Sequence, residues 1–244
     1  MQEFANPHSL RNGIFDLLSS INLATDDNVK LLDYTTELFN KNGLSSDYYG
    51  YHNIDHELEV TYITLLSATN LLNQKKFSVD DVKYLFASAL LHDFDPSKSA
   101  DKPHEKNVIE FITEDKTIQG LLKNASLDPA IICALISRTV YPWSGSTKTI
   151  TEKQMEKYFD TSSVTKDKPE LCEHFKMLGH FLSVADRIGG YALGDFGKAM
   201  EMAKMNAHAS GWHPALIVRR SVSFFEDMLN NDAELCELLL NSIP

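Results

Sequence analysis

Apolar side chains recur at helical spacing along almost the whole chain, and the alternation of apolar and polar residues that marks a strand is hard to find. The segment 53–74 shows the apolar spacing of a long core-facing helix at Val60, Ile63, Leu66 and Leu71. The chain is 244 residues long, which is enough to bury a substantial core. We therefore expect an all-α protein that forms one helical domain over residues 1–244.

Capping and turn residues predict where the helices begin and end. Ser78 and Asp128-Pro129 are typical helix starts, and Asn42-Gly43 is a typical helix end. Combined with the apolar spacing, these signals predict helices at 9–21, 26–42, 53–74, 78–92, 104–114, 129–140, 170–188, 195–208, 214–230 and 232–241.

The chain is strongly acidic. Its 34 aspartate and glutamate residues outnumber its 23 lysine and arginine residues, which gives a formal net charge of −11. Such a field repels a nucleic-acid backbone and an anionic membrane surface, so we expect neither general nucleic-acid binding nor membrane association. A substrate that carries a phosphate group would need local positive charge, and a bound metal ion is the most economical source of it.

Cysteine use and the N-terminal sequence bear on the compartment. The chain has three cysteines, which lie far apart, so we expect neither a disulfide framework nor a thiolate zinc site. The N-terminus has no basic region followed by an apolar run, and no stretch of about 18 apolar residues appears. We expect a soluble cytoplasmic protein, whose apolar helices after Asp195 could pack against a second copy of the chain.

Histidines and aspartates stand in positions that favour a metal ion. His92-Asp93 ends the apolar helix that begins at Ser78, where the carbonyl end of the helix dipole attracts a cation. His52 and His56 are four residues apart and share one face if a helix begins by His52. Asp186 lies in an otherwise apolar stretch, where a carboxylate without a partner would be costly to bury. A bound metal would explain Asp186.

The order His56, His92-Asp93 and Asp186 resembles the His…His-Asp…Asp pattern of the HD-domain metal-dependent phosphohydrolases. Within that superfamily, Tyr51-His-Asn-Ile-Asp-His56 looks like the Tyr-His-Asn-x-x-His signature of cyclic-nucleotide phosphodiesterases. The resemblance implies an HD-type helical bundle with its metal-site core at about 48–191 and helical extensions at 1–47 and 192–244.

The resemblance also implies roles for the matching residues. His52 would be the general acid, and the metal ligands would be His56, His92, Asp93 and Asp186. Asp93 would bridge to a second ion that is otherwise held mostly by waters. The His-Pro-Gly-x-x-Asn element of the phosphodiesterases has its nearest match at His104-Glu-Lys-Asn107, which lacks the Pro-Gly. His104 is therefore a candidate for contact with the substrate or the second metal.

Several further side chains have two open interpretations. Asp55 and Glu57 are local candidates for the carboxylate that holds His52 in its charged form. Arg138 and Arg187 could contact a phosphate, or could pair with carboxylates of the acidic surface. Asp95 could support the metal site or act as an N-cap before a proline. The spacing of these residues does not separate the alternatives.

Two imidazoles and two carboxylates suit zinc, iron, manganese or nickel in the first site, and magnesium or manganese in a water-rich second site. Such ions activate water for attack on phosphorus, and His52 would then protonate the leaving group. We expect a metal-dependent phosphohydrolase whose substrate is a small phosphate ester, such as a nucleotide or a cyclic-nucleotide phosphodiester. The alternatives are a di-iron oxygenase of the HD type and a metal-stabilised regulatory or ligand-binding module without turnover.

Overall fold

The computed structural model describes residues 7–44, 52–99, 103–192, 197, 200, 201, 204 and 213–242. Eleven α-helices make up most of these residues. These residues contain no β-strand, and the predicted all-α class is confirmed. The helices are α1 (Pro7–Ser20), α2 (Asp26–Lys41), α3 (Ile54–Asn73), α4 (Val79–Leu91), α5 (Glu105–Glu114), α6 (Lys116–Asn124), α7 (Pro129–Ser137), α8 (Gly145–Thr161), α9 (Pro169–Ala192), α10 (Ile217–Asn231) and α11 (Ala233–Leu240). A short 3-10 helix, Pro214–Leu216, precedes α10.

Local sequence sets several helix ends as predicted. Ser78 caps α4 in a reciprocal capping box, in which the Ser78 amide donates to Asp81 Oδ2 over 2.8 Å. Asp128 caps α7, which begins with Pro129 at its first position. Gly43 follows the end of α2 with a φ of +60°, a conformation that glycine adopts without strain.

Two of the observed helices, α6 and α8, have no counterpart in the sequence analysis. Asp115 both ends α5 and caps α6, so no loop separates these two helices. The buried residues of α8 are Met155 and Phe159, and so narrow an apolar face gives little periodic signal. Helix α7 ends at Ser137, before the predicted 140. Of the predicted helix 195–208, the described residues are 197, 200, 201 and 204, and all four are helical.

Helix α3 runs through the centre of the bundle and packs against α1, α4, α9 and α11. Because neighbours surround it, α3 buries small polar side chains as well as apolar ones, and Thr61 Oγ1 donates to the carbonyl oxygen of Glu57 over 2.7 Å. Helices α4 and α9 also contact each other. The three mutually packed helices α3, α4 and α9 are the elements that carry the predicted metal ligands.

The described helices differ from membrane-spanning helices in length or in composition. None of them is by itself both long and apolar enough to cross a bilayer. Helices α6 and α7 taken together are long and apolar enough to cross a bilayer, but their axes are bent by 107° at the break between them.

Candidate metal centre

The N-terminus of α3 supplies two imidazoles to one place. Asn53 is the N-cap, and its side-chain oxygen accepts from the amides of Asp55 and His56 over 2.8 and 3.3 Å. The helix therefore begins at Ile54, and His52 lies just outside it instead of in its first turn. The rings of His52 and His56 nevertheless meet through the turn at Asn53, with centroids 5.5 Å apart.

The C-terminus of α4 supplies the next two groups. His92 follows the last helical residue and is buried, and its Nδ1 lies 2.8 Å from the carbonyl oxygen of Ala89. Because a carbonyl oxygen can only accept, Nδ1 carries a hydrogen and Nε2 faces the cluster. Phe94 then anchors the chain, since its ring packs edge-on against Phe39 and Phe111 at centroid distances of 5.1 and 4.8 Å.

Asp95 holds the loop that follows. Its side chain is fully buried and accepts from Ser97 N, His104 N and Asn107 Nδ2 over 2.9, 3.1 and 2.8 Å. These hydrogen bonds tie the start of α5 to the segment that carries Asp93. Asp95 thus supports the site from the loop, and it lies ahead of no helix that it could cap.

Asp93 is the carboxylate at which the imidazoles converge. Its Oδ2 lies 2.7 Å from His52 Nδ1, 3.4 Å from His56 Nε2 and 3.5 Å from His92 Nε2. The 2.7 Å contact is a hydrogen bond from His52, because an ionised carboxylate only accepts.

Asp186 completes the cluster from α9. Its Oδ1 lies 3.2 Å from His56 Nε2 and 3.5 Å from His92 Nε2. Gly189, one turn later on α9, lets this helix approach α3, because a Cβ there would lie 3.3 Å from Val60 Cγ2. The structure therefore brings together all five residues that the sequence analysis assigned to the metal ligands and the general acid.

Glu57 has a different place from the one considered for it. It is 0% exposed, its Oε2 lies 3.2 Å from His92 Nδ1, and its Oε1 accepts from the Asp93 amide over 3.4 Å. A carboxylate that contacts His52 is that of Asp93, which the sequence analysis did not consider for this role. Glu57 instead lies behind His92, where a carboxylate orients a ligating imidazole and raises its basicity.

The packing of acids and imidazoles shifts their titration. Burial disfavours the charged form of His56, but Asp186 and Asp93 outweigh it and raise the pKa of His56 to about 9. Burial opposes charging of His92 too, yet Glu57, Asp93 and Asp186 hold its pKa well above the usual value. The imidazoles in turn overcome burial at Asp93 and Asp186 and keep the pKa of each carboxyl below its usual value.

At Glu57 burial prevails over the charge of His92 and raises the pKa of the carboxyl. The centre of the cluster is therefore a balanced set of imidazolium and carboxylate groups when protons are its only cations. A divalent cation can replace two of those protons without a change of net charge.

These groups fit a metal ion. The nearest described oxygens to the buried His92 Nε2, from Asp93 and Asp186, are 3.5 Å away, beyond an ordinary hydrogen bond. Two atoms about 2.1 Å from one ion, at tetrahedral or octahedral angles, lie about 3.0–3.4 Å apart. The four contacts of His56 and His92 with the two carboxylates span 3.2–3.5 Å. The buried histidine and carboxylate groups could hold a metal ion.

The other histidines considered lie away from this cluster. His104 is the N-cap of α5, its Nδ1 accepts from Lys106 N over 3.2 Å, and 60% of its side chain is exposed. The His104 ring therefore caps the start of α5 and is not part of the cluster. His174 and His180 pair with Asp81 and Asp232 over 2.7 and 2.8 Å.

Tyr51, the first residue of the phosphodiesterase-like signature, lies outside the described residues. Comparisons of the chain with protein-family models, with curated proteins and with solved structures found no match.

Proposed function

We propose that this chain is a metal-dependent phosphohydrolase of the HD-domain type that cleaves a phosphate ester. The observation that carries the proposal is the position of Asp93 Oδ2 within 3.5 Å of three imidazoles, those of His52, His56 and His92. A carboxylate placed in this way can hold an ion with two of the imidazoles and orient the third.

The proposed first ion is zinc, iron, manganese or nickel, held by His56, His92, Asp93 and Asp186. The proposed second ion is magnesium or manganese, with Asp93 shared between the two. Bound divalent ions would lower the pKa of a water molecule and neutralise charge on the phosphoryl oxygens. Glu57 keeps the His92 ring in place behind the first ion.

His52 is the proposed general acid. About 31% of its side chain is exposed, whereas 2% of the His56 side chain and 1% of that of His92 are, so a substrate can reach His52. Its Nδ1 donates to Asp93, and Nε2 is the atom that would deliver a proton to the leaving alkoxide.

The Tyr-His-Asn-x-x-His signature favours a nucleotide, and in particular a cyclic-nucleotide phosphodiester, as the substrate. A di-iron oxygenase would need further histidines for its second ion. His104, His174 and His180, which follow Asp93 in the sequence, serve as a helix cap and as partners of Asp81 and Asp232. Their positions favour the hydrolase.

Metal content and ester hydrolysis, measured on the same preparations, test the proposal. The purified protein should contain tightly bound metal and, with added manganese, magnesium or nickel, should hydrolyse a nitrophenyl phosphate diester or monoester. His56→Ala, His92→Ala and Asp186→Ala should each lower bound metal well below one ion per chain and abolish turnover. The control is His174→Ala, which removes an imidazole paired with a carboxylate elsewhere.

Stoichiometric metal in a folded His92→Ala variant would remove that residue from the site. A metal-loaded protein that hydrolyses neither ester, nor any nucleotide in a phosphate-release screen, would contradict the hydrolase and leave the metal-stabilised binding module.

A further inference from the structure

A cavity of about 730 Å³ lies among the end of α7, helices α8, α9 and α10, and the segment 141–144. None of the residues of the metal cluster lines it. Two arginines, Arg138 and Arg187, do line it, together with Tyr141 and Trp143. The cavity is thus a second concave site, and its chemistry differs from that of the metal cluster.

Arg138 is fixed in place at this cavity. It is 7% exposed, its guanidinium carbon lies 3.8 Å from the centroid of the Trp143 ring, and its Nη1 donates to Ser183 Oγ over 3.3 Å. Its stem crosses α9 at Gly179, where a Cβ would lie only 2.9 Å from Arg138 Cβ. A guanidinium held by packing loses little conformational freedom when it binds a ligand.

Arg187 presents donors without a partner. Its Nη2 is buried and has no hydrogen-bond partner among the described residues, and its guanidinium carbon lies 5.4 Å from the centroid of the Tyr141 ring. Although Arg187 follows Asp186, consecutive helical residues point about 100° apart, which is consistent with its place in the cavity. A buried guanidinium atom that forms no hydrogen bond is costly and calls for an acceptor.

Neither arginine forms an ion pair with a described carboxylate. Three of the carboxylates that line the cavity have partners of their own: Asp232 contacts His180 over 2.8 Å, Glu173 contacts Lys176 over 2.7 Å, and Glu152 contacts Lys148 over 3.8 Å. The fourth, Asp227, is exposed. Of the two interpretations that the sequence left open for these arginines, an ion pair with a carboxylate of the acidic surface is therefore absent from the described part of the chain.

The two guanidinium groups act on each other and on their surroundings. Burial and the charge of Arg187 lower the pKa of Arg138 to about 10, in spite of Asp232 and Glu152. Burial and the charge of Arg138 also lower the pKa of His180. The lining of the cavity therefore holds three basic groups, those of Arg138, Arg187 and Lys176, beside its four carboxylates. Lys176 pairs with Glu173, whereas the two guanidinium groups form no ion pair with a described carboxylate.

We propose that this cavity binds the phosphate group of a small organic phosphate through Arg138 and Arg187. A phosphomonoester carries about −1.5 to −2 charges at neutral pH, which matches two guanidinium groups better than the single charge of a carboxylate does. The planar donor fork of arginine suits phosphate oxygens. The volume accommodates a ligand of mononucleotide size. This site does not depend on the function proposed for the metal cluster.

Isothermal titration calorimetry of the full chain with adenosine monophosphate, inorganic phosphate, adenosine and succinate tests the site. We expect adenosine monophosphate and inorganic phosphate to bind and to compete with each other, and adenosine and succinate not to bind. Binding should persist in His56→Ala, because that residue belongs to the other cluster. Adenosine or succinate that binds as tightly as the nucleotide would overturn the assignment to phosphate, and loss of all binding in a folded His56→Ala would move the phosphate to the metal cluster.

Variants of one arginine give the sharper test. Arg187→Gln should weaken binding of adenosine monophosphate at least about 10-fold, because charged hydrogen bonds are lost. Arg187→Lys keeps the charge but not the planar fork, and should fall between wild type and Arg187→Gln. Arg219→Gln, at an exposed position of α10 outside the cavity, is the matched control for the change in charge. Wild-type affinity in Arg187→Gln would overturn the proposal.

A measurement on the wild-type chain covers the case in which Arg187→Gln does not fold. Trp143 lies against Arg138, so its indole N–H resonance should shift when adenosine monophosphate is added. The chain has two tryptophans, and Trp143→Phe assigns the signal. An indole resonance that stays unchanged at a saturating ligand concentration would overturn the proposal.

Discussion

Metal binding at the α3–α4–α9 cluster should release protons in a number that the structure sets. The pKa of His56 is raised to about 9, so about 99% of His56 is protonated at pH 7 in the metal-free protein. His92 also has a pKa well above its usual value. A metal needs the neutral form of each imidazole, so one divalent ion should displace close to two protons at pH 7.

The pH dependence of affinity follows from the same count. With two protons displaced for each ion, the apparent affinity should fall about 100-fold for each unit by which the pH is lowered. The slope should decrease as the pH rises through about 9, where His56 has already lost its proton. Titration with manganese near pH 7, in buffers of different ionisation enthalpy, gives the number of protons directly from the heats.

The matched control for this titration is His174→Gln. His174 also contacts a carboxylate, Asp81, over 2.7 Å, but it lies away from the cluster. Its variant should release as many protons as the wild type, whereas His56→Gln should bind less metal and release about one proton fewer for each ion that it binds. Release of less than one proton by the wild type would refute the assignment of His56 and His92 as ligands.

Three further predictions concern mechanism and stability. His52→Ala should retain metal and lose about 10²–10⁴ in the rate of hydrolysis of an ester of an ordinary alcohol. The loss should be far smaller on a nitrophenyl ester, because its leaving group needs little protonation. Equal losses on the two esters in steady-state assays would show that His52 is not the acid. Asp93→Asn should lose the second ion and nearly all turnover, because a neutral amide cannot balance two divalent charges, and elemental analysis would contradict this if both ions remained. In the metal-free protein, the raised pKa of His56 makes its charged form a source of stability that is complete below pH 6.5 and is lost as the pH rises through about 9. The rise in the pKa of His56 corresponds to about 3 kcal/mol of stability. The free energy of unfolding in urea, measured after verified metal removal, should therefore be larger at pH 6 than at pH 9.5.

The clustering of these side chains could be predicted because most of them are anomalous within their own segments. His92 and Asp93 end an apolar helix, and Asp186 interrupts an apolar stretch, so local sequence alone marks them as groups that need a partner. Helical register then places His56 on the first turn of α3. These signals need no knowledge of how the helices pack.

What the sequence could not predict depends on contacts between distant segments. Glu57 is ordinary in its local sequence, and its contact with His92 exists only because α3 packs on α4. Asp95 is fully buried although it lies in a polar loop, because donors from the start of α5 surround it. That Arg138 forms no ion pair with a described carboxylate likewise follows from the packing of α7 against α9, which no local pattern records.

Gly189 affects the distance between α9 and α3, and with it the distances between the side chains of the candidate metal centre. This glycine lets α9 lie close to α3, and a Cβ at 3.3 Å from Val60 Cγ2 would require that methyl group, or α3 with it, to move by a few tenths of an ångström. Calcium–oxygen bonds of about 2.3–2.6 Å exceed magnesium–oxygen bonds of about 2.0–2.1 Å by a similar amount. A larger side chain at position 189 should therefore shift the preference of the site towards ions of larger radius while every ligand is kept. Selectivity at the proposed metal site would in this respect be a property of the spacing between two helix backbones.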